Sequence, residues 1–83
     1  MEKPDEAEVL VAGVVARLKA IREAKKLSLR QLENLCGVTD GGIHHIENGN
    51  RSPSLYALAR IATALGWRIG DVITAVESGN SNA

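Results

Sequence analysis

Of the side chains of this 83-residue chain that could do chemistry, the cations are the ones that gather, six of the ten in one stretch. Arg17, Lys19, Arg22, Lys25, Lys26 and Arg30 stand against Glu23 and Glu33, and Arg51 follows in a polar loop. Guanidinium and ammonium groups at that density suit the holding of phosphate oxygens, arginine offering a planar fork that matches them. The first residues have the opposite sign, with Glu2, Asp5, Glu6 and Glu8 against Lys3. A formal net charge of zero therefore conceals a dipolar distribution that could leave one basic face. Acid at a helix start and base at its end would also match the helix dipole. The remaining reactive groups offer less. His44 and His45 are adjacent, and neighbours on a helix point about 100° apart, so the two cannot readily share a metal ion. Cys36 is the single cysteine, which excludes an internal disulfide and fits a reducing compartment. No nucleophile, paired carboxylates or phosphate-cradling loop stands at credible spacing, so neither catalysis nor a metal or cofactor is expected.

Positioning these groups falls to short helices. Leu10, Val14, Leu18 and Ile21 recur every three or four residues, which predicts helix 1 from about Asp5 to about Lys26. Ser28 and Gln31 have capping-box spacing and open helix 2, over about 28–36, with Leu32 and Cys36 on one face. Gly37 makes the turn, and Thr39 caps helix 3, over about 39–48, whose inward residues are Ile43 and Ile46. Asn48-Gly49 stops that helix. Pro53 opens helix 4, which carries Leu55, Leu58, Ile61, Ala62 and Leu65 inward until Gly66. Helix 5 is expected from about Gly70 to Glu77, with Val72, Ile73 and Val76 apolar. The whole is one all-α, five-helix domain over 5–78 with an extended first helix, a short tail over 1–4 and a flexible tail over 79–83. At 45% hydrophobic residues, with Trp67 and Tyr56 the only aromatics, the core must be aliphatic. The apolar run from Val9 to Ala16 is too short to cross a bilayer. Val9, Val11, Ala12 and Val15 give helix 1 more apolar surface than a small core can cover, so it either meets a partner or curls onto the last helix.

From Leu18 to Ile73 the chain resembles the lambda repressor/Cro-like (XRE) helix-turn-helix family. The matching residues are Leu18-Lys19, Ile21-Arg22-Glu23, Leu27-Ser28, Leu32, Gly37-Val38-Thr39, Ile43, Ile46-Glu47-Asn48-Gly49, Arg51, Pro53-Ser54-Leu55, Leu58, Ile61-Ala62 and Ala64-Leu65-Gly66. The resemblance implies a sequence-specific DNA-binding regulator of bacterial or phage type, such as a repressor. It would lay helix 3 in the major groove of an operator, commonly as a homodimer. Such a protein works in the cytoplasm, on the nucleoid when DNA-bound.

Carried over residue by residue, the family pattern puts Thr39, Asp40, Gly41, Gly42, His44 and His45 toward base edges, His45 being the preferred side-chain reader. Phosphate contacts fall to Ser28, Arg30, Asn50, Arg51 and Ser54, with Tyr56 beside them. Arg22 and Glu47 match an ion pair tying helix 1 to helix 3, and each neighbours a core residue where a lone charge would be costly. Trp67, Ile69, Val72, Ile73 and Val76 are the expected dimer surface, with Val9, Val11 and Val15 of helix 1 as a second surface for a copy or another protein.

Three departures weigh against strong DNA reading. Leu29 stands where relatives often have Gln, Glu33 stands where Ala usually packs helix 2 on helix 3, and Asp40-Gly41-Gly42 opens the recognition helix with an acid and two helix-weakening residues. Unless Glu33 bends to solvent it is expected to loosen that junction. The rival expectation is a protein-interaction module, an antitoxin or anti-repressor partner, built on the same scaffold.

Overall fold

The computed structural model describes residues 5–79; the tail expected over 1–4, and all but Gly79 of the tail expected over 79–83, lie outside the described residues. All regular structure among the described residues is helical: α1 (Glu6–Ala24), α2 (Leu29–Cys36), α3 (Asp40–Glu47), α4 (Leu55–Ala64) and α5 (Ile69–Glu77).

Capping side chains decide where four of the five helices begin. Asp5 is the cap of α1 and not its first residue, its carboxylate accepting the Ala7 amide at 2.8 Å. Ser28 and Gln31 form the complete capping box of α2, with Ser28 Oγ accepting the Gln31 amide at 3.0 Å and Gln31 Oε1 accepting the Ser28 amide at 2.8 Å. Thr39 caps α3 through the Gly42 amide at 3.0 Å. In α4 the start lies two residues later than Pro53 suggests, because Ser54 is the cap and accepts the Ala57 amide at 3.0 Å. Only α5 lacks a side-chain cap, opening at Ile69 after Arg68.

The long first helix stops two residues short of Lys26. There Lys26 turns left-handed at φ +59°, and the amides of Lys26 and Leu27 bond back to Glu23 and Arg22 carbonyls at 2.9 and 3.1 Å, a Schellman closure in which glycine is the usual occupant. Gly37, at φ +80°, makes the turn between α2 and α3 that a residue with a Cβ would resist.

Val14 and Leu18 of α1, Leu32 and Cys36 of α2, Ile43 and Ile46 of α3, Leu58, Ile61 and Ala62 of α4, Leu65 beyond it and Val72 of α5 form one buried cluster. Two positions read as apolar sites correct the expectation. Leu55, assigned inward, is 65% exposed, because it opens α4 at the edge of the apolar arc, where half-buried Ala57 meets the core instead. Val72, assigned to the dimer surface, is 0% exposed in the single chain and belongs to the core.

The surplus apolar surface of α1 is partly used by α5, which packs along it. Gly13 is the reason the two can approach: a Cβ there would lie 2.7 Å from Val76 Cγ1. Alanine would favour the helix by about 1 kcal/mol but overpack a contact whose relief costs about 1–3 kcal/mol, Val76 being stiff at χ1. Gly13→Ala should therefore lower stability by about 1 kcal/mol in urea unfolding. A more stable variant would mean that α1 and α5 separate without cost.

Candidate nucleic-acid interface

The outer face of α3 is built from residues that the core does not use. Ile43 and Ile46 point inward and are buried, while Asp40, Gly41, His44 and His45 are exposed. Gly41 has open space around it, with nothing within 4 Å of a Cβ built there. Gly42 does not belong to this face. It is half-buried, and a Cβ on it would meet Thr39 Oγ1 at 2.9 Å and Val38 Cγ1 at 3.5 Å, so its side lies against the cap. The two glycines, expected together toward base edges, thus differ in role. The side-chain amide of Asn48 lies 3.0 Å from His44 Nε2, and the His45 ring meets His44 edge-on at 5.8 Å between centroids. His45 is left as the more available imidazole. Among the described residues no group of three or more His, Cys, Asp or Glu is placed to hold a metal ion.

The cation run does not present one basic face. Arg17, Lys19 and Arg22 are half-buried, leaving Lys25, Lys26 and Arg30 exposed. Arg22 turns inward: its Nε and Nη2 donate to the two Glu47 carboxylate oxygens at 2.8 and 2.9 Å, and its Nη1 donates to the Leu27 carbonyl at 2.7 Å. The pair is largely shielded, with side-chain exposures of 13% and 10%. The Glu47 hydrogen bond holds the Arg22 guanidinium above its ordinary pKa against the opposing pull of desolvation, so it stays charged.

The remaining phosphate candidates sit at helix starts and in the loop before α4. Ser28 and Arg30 are exposed at the start of α2, Asn50 and Arg51 in the loop after α3, and Ser54 and Tyr56 at the start of α4. Capping does not exclude the serines, because a hydroxyl that accepts one amide still has its own hydrogen to donate. Gly49, at φ +75°, turns the chain out of α3 and carries Asn50 and Arg51 to the surface.

Two ties in this region escaped the sequence reading. Glu33, half-buried, reaches across the junction that it is expected to loosen: its Oε1 accepts the Asp40 amide at 3.1 Å, joining α2 to the first residue of α3. Arg60 of α4 donates through Nε to the Cys36 carbonyl at 2.6 Å and through Nη1 to the Tyr56 hydroxyl at 2.9 Å, and its guanidinium lies 5.5 Å from the Tyr56 ring centroid. The Tyr56–Arg60 spacing of one helical turn is visible in the sequence; the cross-helix bonds are not.

A profile of the helix-turn-helix domain family matches residues 14–72. The chain belongs to the helix-turn-helix domain family. Among its relatives, an uncharacterised HTH-type transcriptional regulator, y4dL, of Sinorhizobium fredii is 39% identical over 56 residues, covering 68% of this chain and 29% of the relative. The HTH-type transcriptional repressor RghR of Bacillus subtilis is 42% identical over 50 residues, 59% of this chain and 37% of the relative. The chain thus spans well under half the length of either. Among solved structures, the clp gene regulator ClgR from Corynebacterium glutamicum superposes with a TM-score of 0.72 at 28% identity, over 84% of this chain and 74% of that one. None of the helices of this helix-turn-helix domain, among the described residues, is long and apolar enough to cross a membrane.

Removing one partner of the α1–α3 tie strands the other in a shielded place. Full enclosure would make that cost about 3–5 kcal/mol; with the exposure that remains, Glu47→Ala should lose about 2–4 kcal/mol in thermal or urea unfolding. A loss below about 1 kcal/mol would mean that water already solvates the pair.

Proposed function

We propose that this chain is the DNA-binding domain of a transcriptional regulator and acts without cofactor or catalysis. The observation that supports this most is that Asp40, Gly41, His44 and His45 of α3 are exposed, as are Ser28 and Arg30 at the start of α2 and Asn50, Arg51 and Ser54 between α3 and α4. The names of the relatives, a transcriptional regulator and a transcriptional repressor, agree with it. In this reading phosphate contacts fix the register and α3 reads the bases. Asp40 can only accept, which suits the amino group of cytosine, and His45 supplies the adaptable side chain. Gly41, with no side chain to hold the helix off, lets the backbone come close to the groove floor. The setting is the bacterial cytoplasm, on the nucleoid when bound.

The same reading includes a two-fold homodimer, for which half-buried Trp67, Ile69, Ile73 and Val76 are the first surface. Two copies of α3 would then stand about 34 Å apart on one face of a palindromic site. A second reading, docking on another protein, is favoured by Val9, 56% exposed, and by the apolar groove that Val11, Ala12, Val15 and Ile46 line beside Arg51 and Pro53.

Selection from random duplex DNA separates the two: recovery of a shared motif supports the first reading, and no retained duplex at low salt favours the second. Within the first, Arg51→Ala should weaken binding to every sequence alike and lower the slope of log affinity against log salt by about 0.9. An unchanged slope would remove Arg51 from the interface. Sedimentation across micromolar concentrations, with Trp67 fluorescence followed in parallel, should show a dimer dissociating on dilution; a strict monomer that binds one half-site would overturn the dimer.

A further inference from the structure

We propose that Glu33 is a specificity-determining positioning residue, a cross-helix cap that fixes the pose of α3 relative to α2; the specificity role rests on the DNA-binding reading above. The opening of α3 needs such help. The first amides of any helix have no partner within it, and here they belong to Asp40, Gly41 and Gly42, two of which weaken a helix by about 1 kcal/mol each relative to alanine. The Thr39 hydroxyl takes the Gly42 amide at 3.0 Å, a local bond that travels with α3 and says nothing of its orientation. The Glu33 carboxylate takes the Asp40 amide at 3.1 Å from a different helix. It therefore fixes where α3 begins with respect to Ser28 and Arg30, and so couples the register set on phosphates to the register read on bases.

The choice of residue has a cost that a purely structural role would avoid. An alanine at this place would pack without charge. Glu33 puts a carboxylate at the same end of α3 as Asp40, where phosphates of any sequence repel it. Charge alone would thus weaken binding to all duplexes, whereas the hydrogen bond acts on the pose, and glutamine separates the two because its Oε1 can accept the same amide without charge.

The test uses the full chain as wild type, Glu33→Ala and Glu33→Gln. Without DNA, amide exchange followed by NMR should speed up at Asp40 by about fivefold or more in Glu33→Ala, the effect of losing a cap, and stay within about twofold of wild type in Glu33→Gln. Exchange in the core at Leu32 and Ile61 should not change. With duplexes selected on the wild type, the ratio of affinities for selected and random DNA should fall about tenfold in Glu33→Ala. Glu33→Gln should keep that ratio while binding both duplexes more tightly. Equal Asp40 exchange in all three proteins would overturn the tether. A ratio unchanged in Glu33→Ala, or lost equally in Glu33→Gln, would overturn the positioning role while leaving DNA binding intact. If the wild type selects no duplex, the DNA reading fails and the specificity role with it, and exchange at Asp40 still decides whether the tether exists.

Discussion

Everything that α3 presents to the outside depends on how its inner side is held, and one guanidinium does much of the holding. Arg22 binds both oxygens of Glu47 and, with its third nitrogen, the Leu27 carbonyl. One side chain thereby ties the end of α1, the connection to α2 and the last residue of α3. The attraction matters because apolar contact fixes distance better than direction. Ile43 and Ile46 could pack against Leu18 and Ile61 over a range of rotations, whereas a two-pronged bond at 2.8 and 2.9 Å admits few. The cation responsible is one that composition alone would have counted toward a phosphate-binding surface. Turned inward, it lowers the outward charge and raises the precision of the face that remains.

The other end of α3 is held by weaker means from more directions. Thr39 caps it locally, Glu33 reaches it from α2, and Arg60 closes the end of α2 through the Cys36 carbonyl. Helices of eight residues, as α2 and α3 are, have as many unpaired end groups as paired interior ones, so their persistence depends on caps and packing more than on propensity. Side chains from α2 and α4 and the Thr39 cap thus meet around the turn at Gly37, where a Cβ would lie 3.0 Å from Arg60 Nη2.

What could be read in the sequence follows from how far each signal reaches. The capping box at Ser28 and Gln31, the Thr39 cap and the glycine turn are contacts within four residues, and their spacing alone implies them. The burial of Leu18, Leu32, Ile43, Ile46 and Leu58 follows from periodicity, which is equally local. Periodicity states which side Leu55 is on, not whether the neighbouring helices extend far enough to cover it, and it is exposed. Val72 differs for the converse reason: an apolar residue on a terminal helix suits a partner and a core equally until the path of α1 is known. That path depends on Gly13, whose missing Cβ lets Val76 in and which no local rule marks. Glu33 and Arg60 act across helices, and a charged residue at a packing position looks like a defect until the amide it accepts is seen.

Electrostatics then bear on what kind of DNA binder such a domain can be. Arg22 is turned in and Arg17 and Lys19 are half-buried, whereas Lys25, Lys26, Arg30, Arg51, Arg60 and Arg68 are exposed, and Glu33 and Asp40 bring negative charge to one end of α3. Affinity that comes from phosphates is indifferent to sequence, so exposed cations alone would hold such a domain on any duplex alike. In the proposed DNA reading, discrimination between sequences would come from base edges, which a helix held at a fixed angle can match. That reading therefore depends on a rigid α3, because a loosely posed helix would blur the base contacts that phosphate contacts cannot replace.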